Sequence, residues 1–466
     1  MSSLHSLAIS ELHSAYASGS LTPTDTVRAI YDRIEAYRAK DPAVWIDVIP
    51  FEDALPAAST LEEQYKDKPK PALYGIPFSV KNSIDVRGYK TTLACPTFAY
   101  VPEKTAPVVQ RCIDAGGIFV GTTNLDQFAT GLVGHRSAYG TPRCVFDSEY
   151  VSGGSSSGSA VSVGAGLVSF SVATDTAGST RVPASLNGLI GLKPTLGTLS
   201  TVGLIPACKT ADCITVLAKT IDDAKVAWGV MRAFDEEDDY ARTPLQLAVL
   251  NMLPSLAGKE GGVRFATPPE ELLGVLSEPY AKLWGEAVEK LEKAGSGFVR
   301  AKEFSYEAFE AANNMLYGSS IVAQRLVAFD DYLKRYGYSS LHPVISEIFK
   351  SSSGFDSVRA YQDLFLLASY KRKVELQYRD NIDILIVPST TVHWKVKEID
   401  QDPIGRNKVL GSFTHFVNLV DLCAVSVPAG TWINDKGNEM PFGITLISTP
   451  GRDDDILELA RRFTAL

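Results

Sequence analysis

An α/β protein with a large, twisted mixed β-sheet core flanked by helices on both faces is predicted by three observations. From about residue 71, short apolar runs alternate with glycine-rich turns. Helical stretches lie between those runs, the pattern of a sheet whose faces are covered. Core-like runs occur both early and late, with about 200 residues between the two groups. The middle therefore reads as an excursion from one sheet, not as a separate terminal domain.

The elements follow in order. Residues 1–70 read as an N-terminal helical segment packed on the core. Ser10-Glu11-Leu12 opens one amphipathic stretch, and Thr22-Pro23-Thr24 starts a second in which Val27, Ile30, Ile34 and Tyr37 recur at helical spacing. Asp53 to Tyr65 is a third helical candidate. The strand candidates are Tyr74 to Ile84, Gly117 to Gly121, Gly164 to Ala173, Ile382 to Val387, Leu422 to Val427 and Gly443 to Ser448. Ala106 to Ala115 reads as a helix that Gly116-Gly117 terminates. The excursion, roughly 220–380, reads as mainly helical; Leu283, Trp284, Ala287, Val288 and Leu291 form an apolar stripe that Gly295 ends. Gly258 to Gly262 is a linker candidate or a surface loop. The expected organisation is the 1–70 segment plus a main domain over 71–466, effectively one large domain over 1–466.

Composition excludes several function classes. The 466 residues are 45% hydrophobic and 21% charged, which reads as an ordinary globular protein. With 45 Lys and Arg against 54 Asp and Glu, the net charge is −9 and no basic run stands out. Nucleic acid is therefore not an expected partner. Cys95, Cys112, Cys144, Cys208, Cys213 and Cys423 lack CxxC spacing, and no histidine cluster completes a metal site, so reduced thiols and no metal are expected. Met1 to Leu7 has no basic n-region and Glu11 interrupts any apolar run, which argues against a signal peptide. No apolar stretch approaches about 18 residues, so no membrane span is expected and the cytoplasm is the expected compartment.

The chemistry concentrates in three segments. Gly153-Gly154-Ser155-Ser156-Ser157-Gly158-Ser159-Ala160 is followed, 24 residues on, by Thr174-Asp175-Thr176-Ala177-Gly178-Ser179-Thr180-Arg181. A lysine ends Gly75-Ile76-Pro77-Phe78-Ser79-Val80-Lys81. Taken alone, a Ser/Gly run reads as a linker and a lone lysine as a solvated strand end. The run, however, leads directly into Ala160 to Gly166, which reads as a packed helix. Acyl transfer needs a nucleophile, a path for its proton and donors for the oxyanion. Ser179 can attack, Ser155 can relay its proton, and Lys81 can accept it once burial lowers its pKa. Small residues around Ser179 let the N–H groups of 176–179 point at a bound carbonyl.

These segments resemble the amidase signature family over nearly the full length. The resemblance implies Lys81 as base, Ser155 as bridging serine preceded by a cis peptide bond, and Ser179 as nucleophile. It implies an oxyanion hole from Thr176, Ala177, Gly178 and Ser179, with Asp175 and Arg181 supporting the loop. It implies no metal and no organic cofactor, and His135 is expected to be structural or substrate-adjacent. The runs Asn124 to Gly134, Tyr139 to Phe146, Pro206 to Cys213 and Phe416 to Cys423 are similar to the allophanate hydrolases within that family. By that likeness Tyr317, Arg325 and Gly131 bind substrate. An arginine fork suits the carboxylate of a small urea-like anion; a surface ion pair is the alternative reading of Arg325.

Three positions depart from the pattern. Asn82 follows the lysine where Asp is common, Thr180 follows the nucleophile where Gly is usual, and Gly318-Ser319-Ser320-Ile321 replaces a Glu-Gly-Pro-Trp run. The last two changes are expected to reshape the substrate pocket. The chain ends at Leu466, where the amidase domain is expected to finish; a further product-processing domain is either removed or naturally absent. The resemblance implies hydrolysis of allophanate with release of ammonia, by a homodimer. Two alternatives share the chemistry: hydrolysis of another small amide, biuret-like or an aryl-acetamide, and a glutaminase subunit of an amidotransferase. A non-catalytic scaffold is the alternative from another class.

Overall fold

The computed structural model describes residues 6–293 and 295–466. The first five residues of the stretch read against a signal peptide lie outside the described residues. Among the described residues eleven strands join one sheet: Trp45–Val48 (β1), Pro77–Lys81 (β2), Ile118–Thr123 (β3), Phe170–Asp175 (β4), Ile190–Lys193 (β5), Cys213–Ala218 (β6), Val263–Ala266 (β7), Phe298–Arg300 (β8), Ile384–Pro388 (β9), Cys423–Ile433 (β10) and Glu439–Ser448 (β11). Their order across the sheet is β1-β3-β2-β4-β6-β5-β10-β11-β9-β7-β8. β2 runs parallel to β3 and β4, and β7 runs parallel to β8 and β9. The other neighbours are antiparallel, so the sheet is mixed as expected.

Burial explains why these strands read as continuous runs. Every residue of β2, β3, β4, β5, β6 and β9 is buried, because helices cover both faces. The Ser157–Gly164 helix lies on β2, β3 and β4. Ser79 on β2 bonds Ser162 of that helix at 3.0 Å and Ser171 of β4 at 2.9 Å, so small hydroxyls line this contact. The other side of β2 is aromatic: Phe78 stacks on Phe170 with ring centroids 5.3 Å apart. The Glu278–Glu292 helix buries Leu283, Trp284, Ala287 and Leu291 and half-buries Val288, the stripe expected from spacing.

Several strands were not legible. β1 falls inside the segment expected to be helical; it is half-buried throughout and pairs only at the sheet edge with β3. β5 spans only four residues and ends in Lys193, and β6 is interrupted by Thr215, so neither stands out as an apolar run. β7 and β8 lie inside the excursion and span only four and three residues, too few for a period to declare itself. β4 begins at Phe170, six residues after the expected Gly164, because the preceding helix and a turn with Gly166 at φ +68° occupy the start of that run. Gly258 to Gly262 is a pinned turn into β7: Lys259 Nζ bonds Asp383 Oδ1 at 2.7 Å.

Leu446 of β11 is fully buried between Val425 of β10 and Ile386 of β9. Leu446→Ala is expected to lower the unfolding free energy by about 2–5 kcal/mol in urea titrations. Val327→Ala, at a position 81% exposed, is expected to change it by less than about 0.5 kcal/mol.

Candidate active site

The parallel pairing of β2 with β4 brings their carboxyl ends to one side of the sheet. Lys81 is the last residue of β2, and Thr174 and Asp175 are the last of β4. Ser155 and Ser156 immediately precede the Ser157–Gly164 helix, which packs over both strands. Sheet order, and not proximity in sequence, therefore assembles the three segments.

Lys81 is fully buried. Its Nζ lies 2.7 Å from Ser155 Oγ, 3.0 Å from Ser156 Oγ and 2.7 Å from Thr174 Oγ1. Burial lowers its pKa to about 7, against the pull of Asp126, Asp175 and Asp212. A neutral amine has two protons to donate and one lone pair to fill. Ser156 Oγ already donates to Thr174 O at 3.1 Å, so the Ser155 hydroxyl is free to point its proton at Nζ. The Gly154–Ser155 peptide bond is cis, as the resemblance implied.

Ser179 is buried beside this pair. Its carbonyl accepts from the Ser156 N–H at 3.2 Å, while no hydrogen bond joins its Oγ to Ser155 Oγ among the described residues. The loop before it is held by a buried ion pair. Asp175 takes Arg181 Nη2 at 2.8 Å and Arg181 Nε at 3.0 Å. Burial pushes the Asp175 carboxyl up, but Arg181 and the Gly178 N–H outweigh it and hold it at about 2. Gly178 has φ +115°, and a Cβ there would meet Thr414 Oγ1 at 2.6 Å, so only glycine fits.

The oxyanion donors need one correction. The Gly178 N–H donates to Asp175 Oδ1 at 2.8 Å and is committed. The N–H groups of Thr176, Ala177 and Ser179 have no protein acceptor among the described residues. Thr176 Oγ1 bonds Asp212, whose other oxygen accepts from Ala207 and Cys208 N–H at 2.8 and 3.0 Å.

Arg325 is fully buried, so the surface ion pair read from its spacing does not form. Its guanidinium stands 5.3 Å above the Tyr317 ring, and its Nε donates to Thr130 Oγ1 at 3.2 Å. Its Nη1 is buried without a partner. Gly131 follows Thr130 in the same loop and is buried. Tyr317 and its edge-on neighbour His415 also line a cleft of about 920 Å³ with Asn313, Ser412 and Phe413. His135 bonds Thr141 Oγ1 at 2.7 Å and Asp400 Oδ1 at 2.8 Å, which makes it structural.

The departures resolve differently. Asn82 is a structural anchor: it accepts from Thr92 N–H and hydroxyl, both at 2.7 Å, and donates to Lys90 O at 2.8 Å. Thr180 turns its hydroxyl to Thr174 O and Thr215 Oγ1. Ile321 packs with Ala177, Cys208 and Leu316, so the 318–321 change does reach the loop before Ser179. Sequence reasoning missed Ser156, Thr174, Asp126 and Asp212; all four lay inside the quoted runs, yet only the fold shows which hydroxyls meet Lys81 and which acids are buried beside it. The six cysteines are buried and free. Among the described residues no cluster of His, Cys, Asp or Glu is placed to hold a metal ion, and no helix is long and apolar enough to cross a membrane.

The Amidase family model matches residues 25–457. The chain belongs to the amidase family. As an amidase it is a hydrolase of amide C–N bonds, and its α/β architecture is the one expected from the motifs. It is 38% identical over 449 residues to the urea amidolyase of Lachancea kluyveri, covering 96% of this chain and 24% of that protein. The solved Kluyveromyces lactis allophanate hydrolase superposes with a TM-score of 0.87 at 38% identity, covering 98% of this chain and 72% of the other. A glutamyl-tRNA(Gln) amidotransferase subunit from Symbiobacterium thermophilum is 32% identical over 486 residues, covering 97% of this chain and 95% of that protein. This amidase thus spans about a quarter of the length of the urea amidolyases it matches.

A base poised near neutrality sets the pH dependence. Lys81 accepts a proton only when neutral; if it serves as the base, activity is expected to be lost as pH falls through about 7 and the lysine becomes protonated. A pH profile of kcat/KM is expected to show an acid limb near 7; a limb near 4 would assign the base to a carboxylate.

Proposed function

We propose that this chain hydrolyses allophanate through a Ser-Ser-Lys acyl-enzyme, releasing ammonia and an N-carboxylated carbamate. The observation that carries the chemistry is the buried Lys81 Nζ at 2.7 Å from Ser155 Oγ. Neutral Lys81 takes the proton of Ser155 while Ser155 takes that of Ser179. Ser179 Oγ attacks the amide carbonyl, and its oxygen turns to the N–H groups of Thr176, Ala177 and Ser179. The tetrahedral species collapses, the C–N bond breaks, and the leaving nitrogen receives its proton through Ser155. Water enters by the reverse relay and frees Ser179. The hydrogen bond between the two serines forms as substrate seats, since such bonds tighten in the Michaelis complex. No metal or organic cofactor takes part.

The substrate follows from Arg325 and from the likeness to urea amidolyases and allophanate hydrolase. A buried guanidinium with a free Nη1, stacked on Tyr317, suits a planar carboxylate. Tyr317, Arg325 and Gly131 form that end of the pocket. The reading carries a homodimer as assembly, the cytoplasm as compartment and a small amide as partner. A second reading, a glutaminase component of an amidotransferase, draws on the near full-length match to the Symbiobacterium thermophilum protein. It predicts little turnover by the isolated chain and a need for a partner.

Ammonia release by the purified chain is expected with allophanate, and not with glutamine or a neutral aliphatic amide. Turnover of glutamine alone would overturn the substrate in favour of the second reading. Ser179→Ala and Lys81→Ala are each expected to lower kcat by about three orders of magnitude or more while circular dichroism stays unchanged. Retained turnover in either would sink the mechanism. Arg325→Ala is expected to raise KM at least about tenfold for amides carrying a carboxylate, with a much smaller effect on neutral amides.

A further inference from the structure

Asp126 stands between the base and the substrate loop, and the proton relay does not use it. Its carboxylate is fully buried. Oδ1 accepts from the Arg136 N–H and Oδ2 from the Gly134 N–H, both at 2.9 Å. Its own N–H donates at 3.1 Å to the carbonyl of Ser155, whose hydroxyl meets Lys81. The approach is close enough that a Cβ on Gly154 would fall 2.2 Å from Asp126 Oδ2.

On its other side Asp126 opens a strained loop. Phe128 and Ala129 both have φ +52°, a region that non-glycine residues rarely occupy and that persists only when the surroundings hold it. Arg136 closes the loop. Its guanidinium donates to Thr130 O at 3.0 Å and to Pro403 O at 2.6 Å. Thr130 Oγ1 then receives Arg325 Nε.

We infer that Asp126 is a positioning residue: its backbone N–H holds the Ser155 carbonyl on one side, and its buried carboxylate, by anchoring the Gly134 and Arg136 N–H groups, fixes the loop whose Arg136 and Thr130 hold the Arg325 clamp on the other. The inference rests on the Ser-Ser-Lys reading. Charge-assisted bonds from two backbone donors hold the loop as neutral ones would not. The same charge also bears on the base. The titratable groups facing Lys81 are Asp126, Asp175 and Asp212; those facing Asp126 are Lys81, Arg136 and His342, the last held toward its neutral form by burial. Each of the three acids favours the ammonium, so loss of the Asp126 charge lowers the Lys81 pKa further. The neutral lysine then persists to lower pH.

The test is the rate at which a fluorophosphonate acylates Ser179, followed against pH, together with KM for allophanate. In Asp126→Asn one side-chain oxygen becomes an NH₂ facing a backbone N–H. The maximal labelling rate is expected to fall about tenfold or more, KM to rise, and the acid limb to move to lower pH than in the unaltered chain. Asp126→Glu keeps the charge and displaces the carboxylate; its labelling rate is expected to fall with the limb in place. A folded Asp126→Asn whose limb does not move, or whose rate is unchanged, overturns the inference. If Asp126→Asn does not fold, Asp126→Glu decides, and a rate within about twofold of the unaltered chain overturns it. Failure of the unaltered chain to be labelled would instead sink the Ser-Ser-Lys reading itself.

Discussion

The burial of one amine underlies the rest of the site. Placing Lys81 at the end of a strand covered on both faces removes its ammonium from water. Such a group must pair with a charge or give up its proton. Its contacts are hydroxyls, from Ser155, Ser156 and Thr174, and none is a carboxylate. A direct carboxylate partner would lock the ammonium form. The acids nearby are kept from pairing with it by other work. Asp175 is taken by Arg181 and Gly178, Asp212 by Thr176 and two backbone N–H groups, and Asp126 by Gly134 and Arg136. The carboxylates that order the loops are thereby the ones withheld from Lys81.

The loop that carries Ser179 depends on residues far along the chain. Thr414 Oγ1 donates to Ala177 O at 2.6 Å, and Asn418 Nδ2 donates to Asp175 O at 2.6 Å. Arg181 reaches Thr414 O and Asn418 Oδ1 while it binds Asp175. The 414–418 segment leads into β10, which lies beside β5 in the centre of the sheet. A buried ion pair is poor evidence for stability, since desolvation offsets its attraction. Here it serves geometry: Asp175 occupies the Gly178 N–H, and those of Thr176, Ala177 and Ser179 are left without a protein acceptor among the described residues.

What was legible in the sequence was chemistry held in local motifs. Lys81, Ser155 and Ser179 stand out because a serine among glycines before a packed helix has few structural reasons to exist. The long buried strands were legible as apolar runs. Properties set by tertiary pairing were not. Thr174 meets Lys81 only because β2 and β4 are neighbours, with Val80 opposite Val172; no local pattern encodes that register. Asp126 and Asp212 look like ordinary loop acids until burial is known. β1 and β8 take their identity from the sheet edges they complete, and a run of three or four residues has no period to read.

Arg325 shows how burial changes the meaning of a residue. From spacing alone it was balanced between a surface ion pair and a clamp. In the fold it is fully buried, has no carboxylate within ion-pair distance among the described residues, and leaves Nη1 unbonded. Arg136, also buried, lies across Thr130 from it and turns Nη1 and Nη2 to carbonyls while its Nε stays unbonded. His415 cannot relieve this excess of positive charge, but it does not add to it either: burial, then Arg181 and Arg325, hold its pKa at about 3 and keep it neutral. A buried guanidinium with no direct carboxylate partner, faced by the more distant Asp212 charge, is costly, by several kcal/mol on the order of what breaking a buried pair costs. A protein gains nothing by keeping one unless a ligand supplies the missing anion. On the proposed reading, the carboxylate of a small urea-like substrate is the group that would complete the pair, with its amide end toward Ser179.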